Sequence, residues 1–77
     1  MKLIQIGFGN MVSSERVIAV IGPEASPVKR LISDAKDRGT LIDASSGRKT
    51  KSVILMDSDH IILSSLTTQE IEKEIAH

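Results

Sequence analysis

Three of the ten basic residues of this 77-residue chain, Arg48, Lys49 and Lys51, fall within four positions of the stretch Ser45-Ser46-Gly47-Arg48-Lys49-Thr50-Lys51. No Asp or Glu occurs between Asp43 and Asp57 to neutralise them. Cations crowded on a small, flexible segment do one kind of chemistry well: they grip phosphate groups by charge. Arg16, Lys29 and Arg30 are candidate neighbours. Lys29 and Arg30 lie in the first turn of an expected helix, where positive charge opposes the macrodipole unless an anion is present. The helix N-terminal amides would reinforce such an anion.

Covalent chemistry has little to work with. The chain has no cysteine, no Gly-x-Ser-x-Gly elbow, and two histidines, His60 and His77, at no triad or ligand spacing. Glu72 and Glu74 stand at i,i+2 of an expected helix and so do not face each other. Gly47-Arg48-Lys49-Thr50 ends like a phosphate-binding Gly-Lys-Thr loop, but the upstream glycine is missing and a strand follows. Gly7 and Gly9 start like a dinucleotide fingerprint, yet Val12 stands where the third glycine belongs. Asp57, Asp59 and His60 read as turn chemistry, lacking the further oxygens and glycine of a calcium loop. No enzymatic activity, cofactor, metal or small-molecule substrate is expected.

Charge and size then bound the partners. The net charge is zero, but residues 57–77 hold five acids against one base, Lys73, whereas the basic residues named above all lie upstream. A neutral chain can therefore fold with one basic and one acidic face. Phe8 is the single aromatic, too few for the stacking platforms of single-strand and RNA modules. A chain this short makes one domain, residues 1–77, with a marginal core. With disulfides and metals set aside, self-association is the remaining staple. The apolar start of the chain is cut short by Gln5 and the glycine turn, and nothing reaches membrane-spanning length. A cytoplasmic location is expected.

The elements that must hold these residues follow from pattern. Residues 3–6 have strand composition and run into a Gly7-Phe8-Gly9-Asn10 turn. Residues 16–22 are apolar at every interior position, as in a strand buried on both faces, and two short helices cannot cover both sides of such a sheet. Some apolar surface should therefore meet a neighbouring subunit. Ser26 as cap, Pro27 at the first helical position and Val28, Leu31, Ile32 and Ala35 on one face predict a helix over about 26–38, stopped by Gly39. Residues 41–44 read as a short strand entering the basic loop. Residues 51–56 and 60–64 form a hairpin around Asp57-Ser58-Asp59. Thr67 and Glu70 form a capping box for a second helix over about 68–76, whose acids face away from any nucleic acid. The fold class is α+β, a small mostly antiparallel sheet with two helices.

Over essentially its whole length the chain resembles the bacterial RemA family of biofilm-matrix regulators. The resemblance rests on ordered blocks: Ile6-Gly7-Phe8-Gly9-Asn10, Arg16-Val17-Ile18-Ala19, Pro27-Val28-Lys29-Arg30, Leu41-Ile42-Asp43-Ala44, Gly47-Arg48-Lys49-Thr50-Lys51 and Asp57-Ser58-x-His60. It implies a cytoplasmic, DNA-binding transcriptional regulator that forms ring-shaped homo-oligomers, follows DNA with its rim and activates genes for extracellular matrix. Arginine is more usual in that family where Lys49 and Lys51 stand, and an aromatic is often found near Ser46. Lysine keeps the charge but loses the bidentate fork, which favours gripping over base reading. From charge alone, a scaffold whose basic loop meets an acidic protein partner is the competing expectation.

Overall fold

The computed structural model describes residues 2–76. Met1 and His77 lie outside the described residues. The elements are β1 (Leu3–Gly7), β2 (Asn10–Ser13), a 3-10 turn (Ser14–Arg16), β3 (Val17–Ile21), α1 (Ser26–Arg38), β4 (Leu41–Asp43), β5 (Ser52–Met56), β6 (Ile61–Ser64) and α2 (Thr68–Ala76). Both helices fall within a residue of where their sequence signals place them. The α+β class holds, with one amendment: the strands form two sheets, a β1-β2 hairpin and a four-stranded sheet in the order β3-β5-β6-β4. All pairs are antiparallel except β4 with β6. Strand β2 has no clear signal in the sequence because its outward residue, Met11, is apolar and 51% exposed, which erases the alternation of a half-buried strand.

Side-chain alternation along the two central strands builds a core on each face of the larger sheet. Ile54 and Ile62 point to a cluster with Ile4, Ile6, Ala44 and Ile71, under the hairpin and α2. Val53, Ile61 and Leu63 point the other way, to Val28 and Ala35 of α1. The doubly buried strands are therefore β5 and β6. The expectation that places β3 among them is corrected: β3 is an edge strand, and Ile18 is 66% exposed. Within one chain β3 has a single neighbour, β5, and α1 packs over the β4-β6 half of the sheet.

Helix α1 begins one residue earlier than Ser26 suggests. Ala25 is the N-cap without a side-chain cap bond, and its carbonyl accepts from the Val28 and Lys29 amides at 3.0 and 3.1 Å. The C-terminus is as expected: Gly39 adopts φ 75°, and the Thr40 amide donates to the Ala35 carbonyl at 2.9 Å, closing the last turn. The capping box of α2 is reciprocal. The Glu70 amide donates to Thr67 Oγ1 at 3.1 Å, and the Thr67 amide to Glu70 Oε1 at 3.0 Å.

Two serines face each other across β5 and β6 in opposite circumstances. Ser64 Oγ, fully buried, donates to the Ile6 carbonyl at 2.7 Å and accepts from the Leu66 amide at 3.1 Å, tying the hairpin to the sheet and to the start of α2. Its register partner Ser52 is equally buried, but its hydroxyl has no hydrogen-bond partner among the described residues. Thermal denaturation should separate them: Ser64→Ala is expected to lose about 1–3 kcal/mol by orphaning the Ile6 carbonyl and the Leu66 amide, and Ser52→Ala to lose nothing or gain.

Candidate nucleic-acid interface

The basic loop owes its length to the strand order. Because β4 pairs with β6 while β5 lies on the other side of β6, residues 44–51 must cross the C-terminal end of β6. They are fastened on both sides of that crossing: the Ala44 amide donates to the Leu63 carbonyl at 2.9 Å, and the Lys51 amide to the Ser64 carbonyl at 2.8 Å. Between these anchors the Arg48 amide donates to the Ser45 carbonyl at 3.0 Å, around Ser46 and Gly47 at φ 54° and 79°. Asp43 holds the entry. Its Oδ1 accepts from Ser45 Oγ at 2.5 Å and from the Ser45 amide at 2.9 Å. The hydroxyl first and the amide second lower its pKa, against a small opposing effect of burial. A carboxyl depressed in the fold stabilises above its unfolded value of about 4, and that contribution disappears as pH falls through the lower folded value.

Arg48, Lys49 and Lys51 are all exposed and wall one cleft of about 310 Å³ together with Phe8 and Ser65. Phe8 comes from the tip of the β1-β2 hairpin, and the Arg48 guanidinium carbon stands 5.9 Å from its ring centre. Sequence reasoning misses Phe8, because a lone aromatic counts there only as the lack of a stacking platform. The one signal that marks it is a bulky residue between two glycines.

The other candidate cations sit elsewhere. In register, Ile21, Val53, Leu63 and Asp43 align across the four strands at one end of the sheet. The basic loop leaves from that end. So does the connection to α1, so Lys29 and Arg30 share the end of the sheet but lie on its α1 face, outside the cleft. Arg16 is at the opposite end. Its carbonyl accepts from the Asp57 amide at 2.9 Å, and its Nη1 lies 3.3 Å from Asp57 Oδ2. With side chains 70% and 43% exposed, that pair is worth at most about 1 kcal/mol.

Helix α2 is less distant from the cations than its acidity suggests. Glu70 is held below the usual carboxylate value first by the Thr67 amide, then by the Thr67 hydroxyl, with Lys51 and Lys73 adding attraction at longer range. The turn residues Ser58 and His60 are engaged with each other, Oγ to Nδ1, at 2.7 Å. Among the described residues no three His, Asp or Glu side chains gather as a cation site, and no helix is long and apolar enough to cross a membrane. A cleft walled by three exposed cations has the charge to attract an anion.

Comparison with known proteins gives the arrangement its relatives. A family model described as extracellular matrix regulatory protein A-like, or RemA-like, matches residues 3–75. Extracellular matrix regulatory protein A of Bacillus subtilis is 52% identical over 75 residues, covering 97% of this chain and 84% of that protein. Relatives with provisional regulatory names are 53% identical over 74 residues in Desulforamulus reducens, covering 96% of this chain and 82% of that protein. In Pelotomaculum thermopropionicum the figure is 56% over 70 residues, covering 91% and 77%. These relatives carry regulatory names and no enzymatic ones. With identity above one half sustained over nearly every residue, and a family model spanning the same length, the chain belongs to the RemA-like family.

Proposed function

We propose that this protein is a cytoplasmic DNA-binding transcriptional regulator of extracellular-matrix genes that works as a homo-oligomer, most simply a closed ring, with one basic cleft per subunit. The observation that carries the reading is the cleft itself: three exposed cations on a loop pinned at both ends across β6. Phosphate contacts supply most nonspecific affinity, and each adds to its salt dependence. One such cleft on a neutral chain binds weakly, whereas repeated clefts on an assembly gain by avidity.

Self-association is supported by the uncovered edge. Ile18 lies in an open groove of about 300 Å³ with Leu31, Leu55, Met56 and Ile61, beside an edge strand whose five residues are all apolar. A head-to-tail contact that closes on itself gives a ring. The matrix-gene role follows from the name of the Bacillus subtilis relative. Neither helix contributes a residue to the cleft, so target choice would rest on DNA curvature and on the spacing of repeated contacts.

Light scattering on the purified protein, alone and with a duplex, tests this directly. The expected result is a mass several times 8.3 kDa, and a complex with duplex DNA whose affinity falls steeply with salt. A monomer that ignores curved and straight duplexes alike would remove the reading and favour a protein-interaction scaffold.

A further inference from the structure

We propose that Phe8 is a positioning residue for Arg48: the ring at the hairpin tip holds the guanidinium across the mouth of the cleft, so that it meets a phosphate already oriented. This rests on the DNA-gripping reading and adds to it a second element, far from the basic loop in sequence.

The turn is a poor home for a phenylalanine on conformational grounds. Phe8 and Gly9 are the two central residues between the paired Gly7 and Asn10, with φ 54° and 77°. Such two-residue hairpin turns favour Asn, Asp and Gly at both positions, and a bulky side chain at positive φ is strained. The side chain also gains little from burial, being 54% exposed. Beside it stands Arg48, its guanidinium carbon 5.9 Å from the ring centre, within the range over which a guanidinium is attracted to an aromatic face.

The mount is rigid. Asn10 Nδ2 donates to the Gly7 carbonyl at 3.0 Å, and Ser64 Oγ fastens the preceding residue, Ile6, at 2.7 Å. Gly7 passes so close to the start of α2 that a Cβ there would stand 3.3 Å from the Ser65 hydroxyl, itself part of the cleft wall. A long side chain on a flexible stem loses rotamer freedom when it binds; holding it beforehand lowers that loss. Arg48 is the cation in the cleft with an aromatic face to rest on.

The test compares wild type with Phe8→Ala, Phe8→Leu and Phe8→Tyr, the leucine keeping an apolar side chain at the same strained position without a ring. In the free protein, the Arg48 Nε–H should be ordered, and its δ protons ring-shifted, in wild type and Phe8→Tyr. Both signatures should vanish in Phe8→Ala and Phe8→Leu. Duplex dissociation constants for those two should rise by about two- to fivefold per engaged cleft, with mass in solution and salt slope unchanged. An Arg48 as mobile in wild type as in Phe8→Ala, or a Phe8→Leu variant that binds like wild type, overturns the proposal. A wild type that orders Arg48 but binds no duplex overturns the DNA reading instead, and the two failures are told apart by the free-protein signal.

Discussion

Replacing Ile18 with aspartate is expected to reduce the protein in solution to its 8.3 kDa chain and to weaken duplex binding by about 10²–10⁴-fold. The size of the effect comes from linkage between subunits rather than from the cleft, which the substitution does not touch. Ile18 is 66% exposed, so in a single chain an aspartate there meets water and costs little. In an interface between copies it would be a desolvated, unpartnered charge, one of the few changes that reliably abolishes association. Circular dichroism should show the same helices, unfolding at a lower temperature because subunit contacts no longer support the fold. A variant that keeps the wild-type mass would move the contact away from β3 and its groove.

The second large effect belongs to the loop. The combined change Arg48→Ala, Lys49→Ala and Lys51→Ala should leave the mass in solution intact and remove duplex binding at physiological salt. The slope of log affinity against log salt should shrink by about 0.9 for each phosphate that is no longer neutralised. Arg48→Ala alone should lower affinity for all sequences alike, since a phosphate contact positions but does not read. Arg16→Ala, whose guanidinium stands at the far end of the sheet beside Asp57, tests apart from the cleft whether Arg16 also contacts DNA. An unchanged slope in the triple variant would mean that DNA sits somewhere other than the cleft.

Much of the scaffold is written locally. Thr67 and Glu70, or Gly39 after Arg38, mark helix ends by chemistry that operates within a few residues, and the structure places α1 and α2 accordingly. Asp57-Ser58-Asp59 likewise declares the β5-β6 turn, with Asp59 at φ 70°. What stays hidden depends on which strand lies beside which. The apolar run of β3 records contact with something apolar but not whether that contact is in the same chain, so it reads as a central strand and is an edge. The cations of residues 48–51 are adjacent in sequence and remain so in space. Arg16, Lys29 and Arg30 are separated from them by strand order, a long-range property. Phe8 is the converse case: thirty-nine residues of intervening chain conceal that the hairpin tip and the basic loop meet, brought together by the packing of β1 on the sheet and the Ser64 tether.

The bare edge of β3 also bears on how much of the protein a cell must make. Strand edges with continuous apolar side chains accept other strands without discrimination, and an orderly neighbour and an aggregate compete for the same hydrogen-bonding groups. Closed assembly from several copies depends on chain concentration to a power greater than one. Under the proposed architecture, synthesis rate becomes a control variable: a modest fall in expression disperses the clefts and silences the regulator, while overproduction offers the exposed edge to the wrong partners.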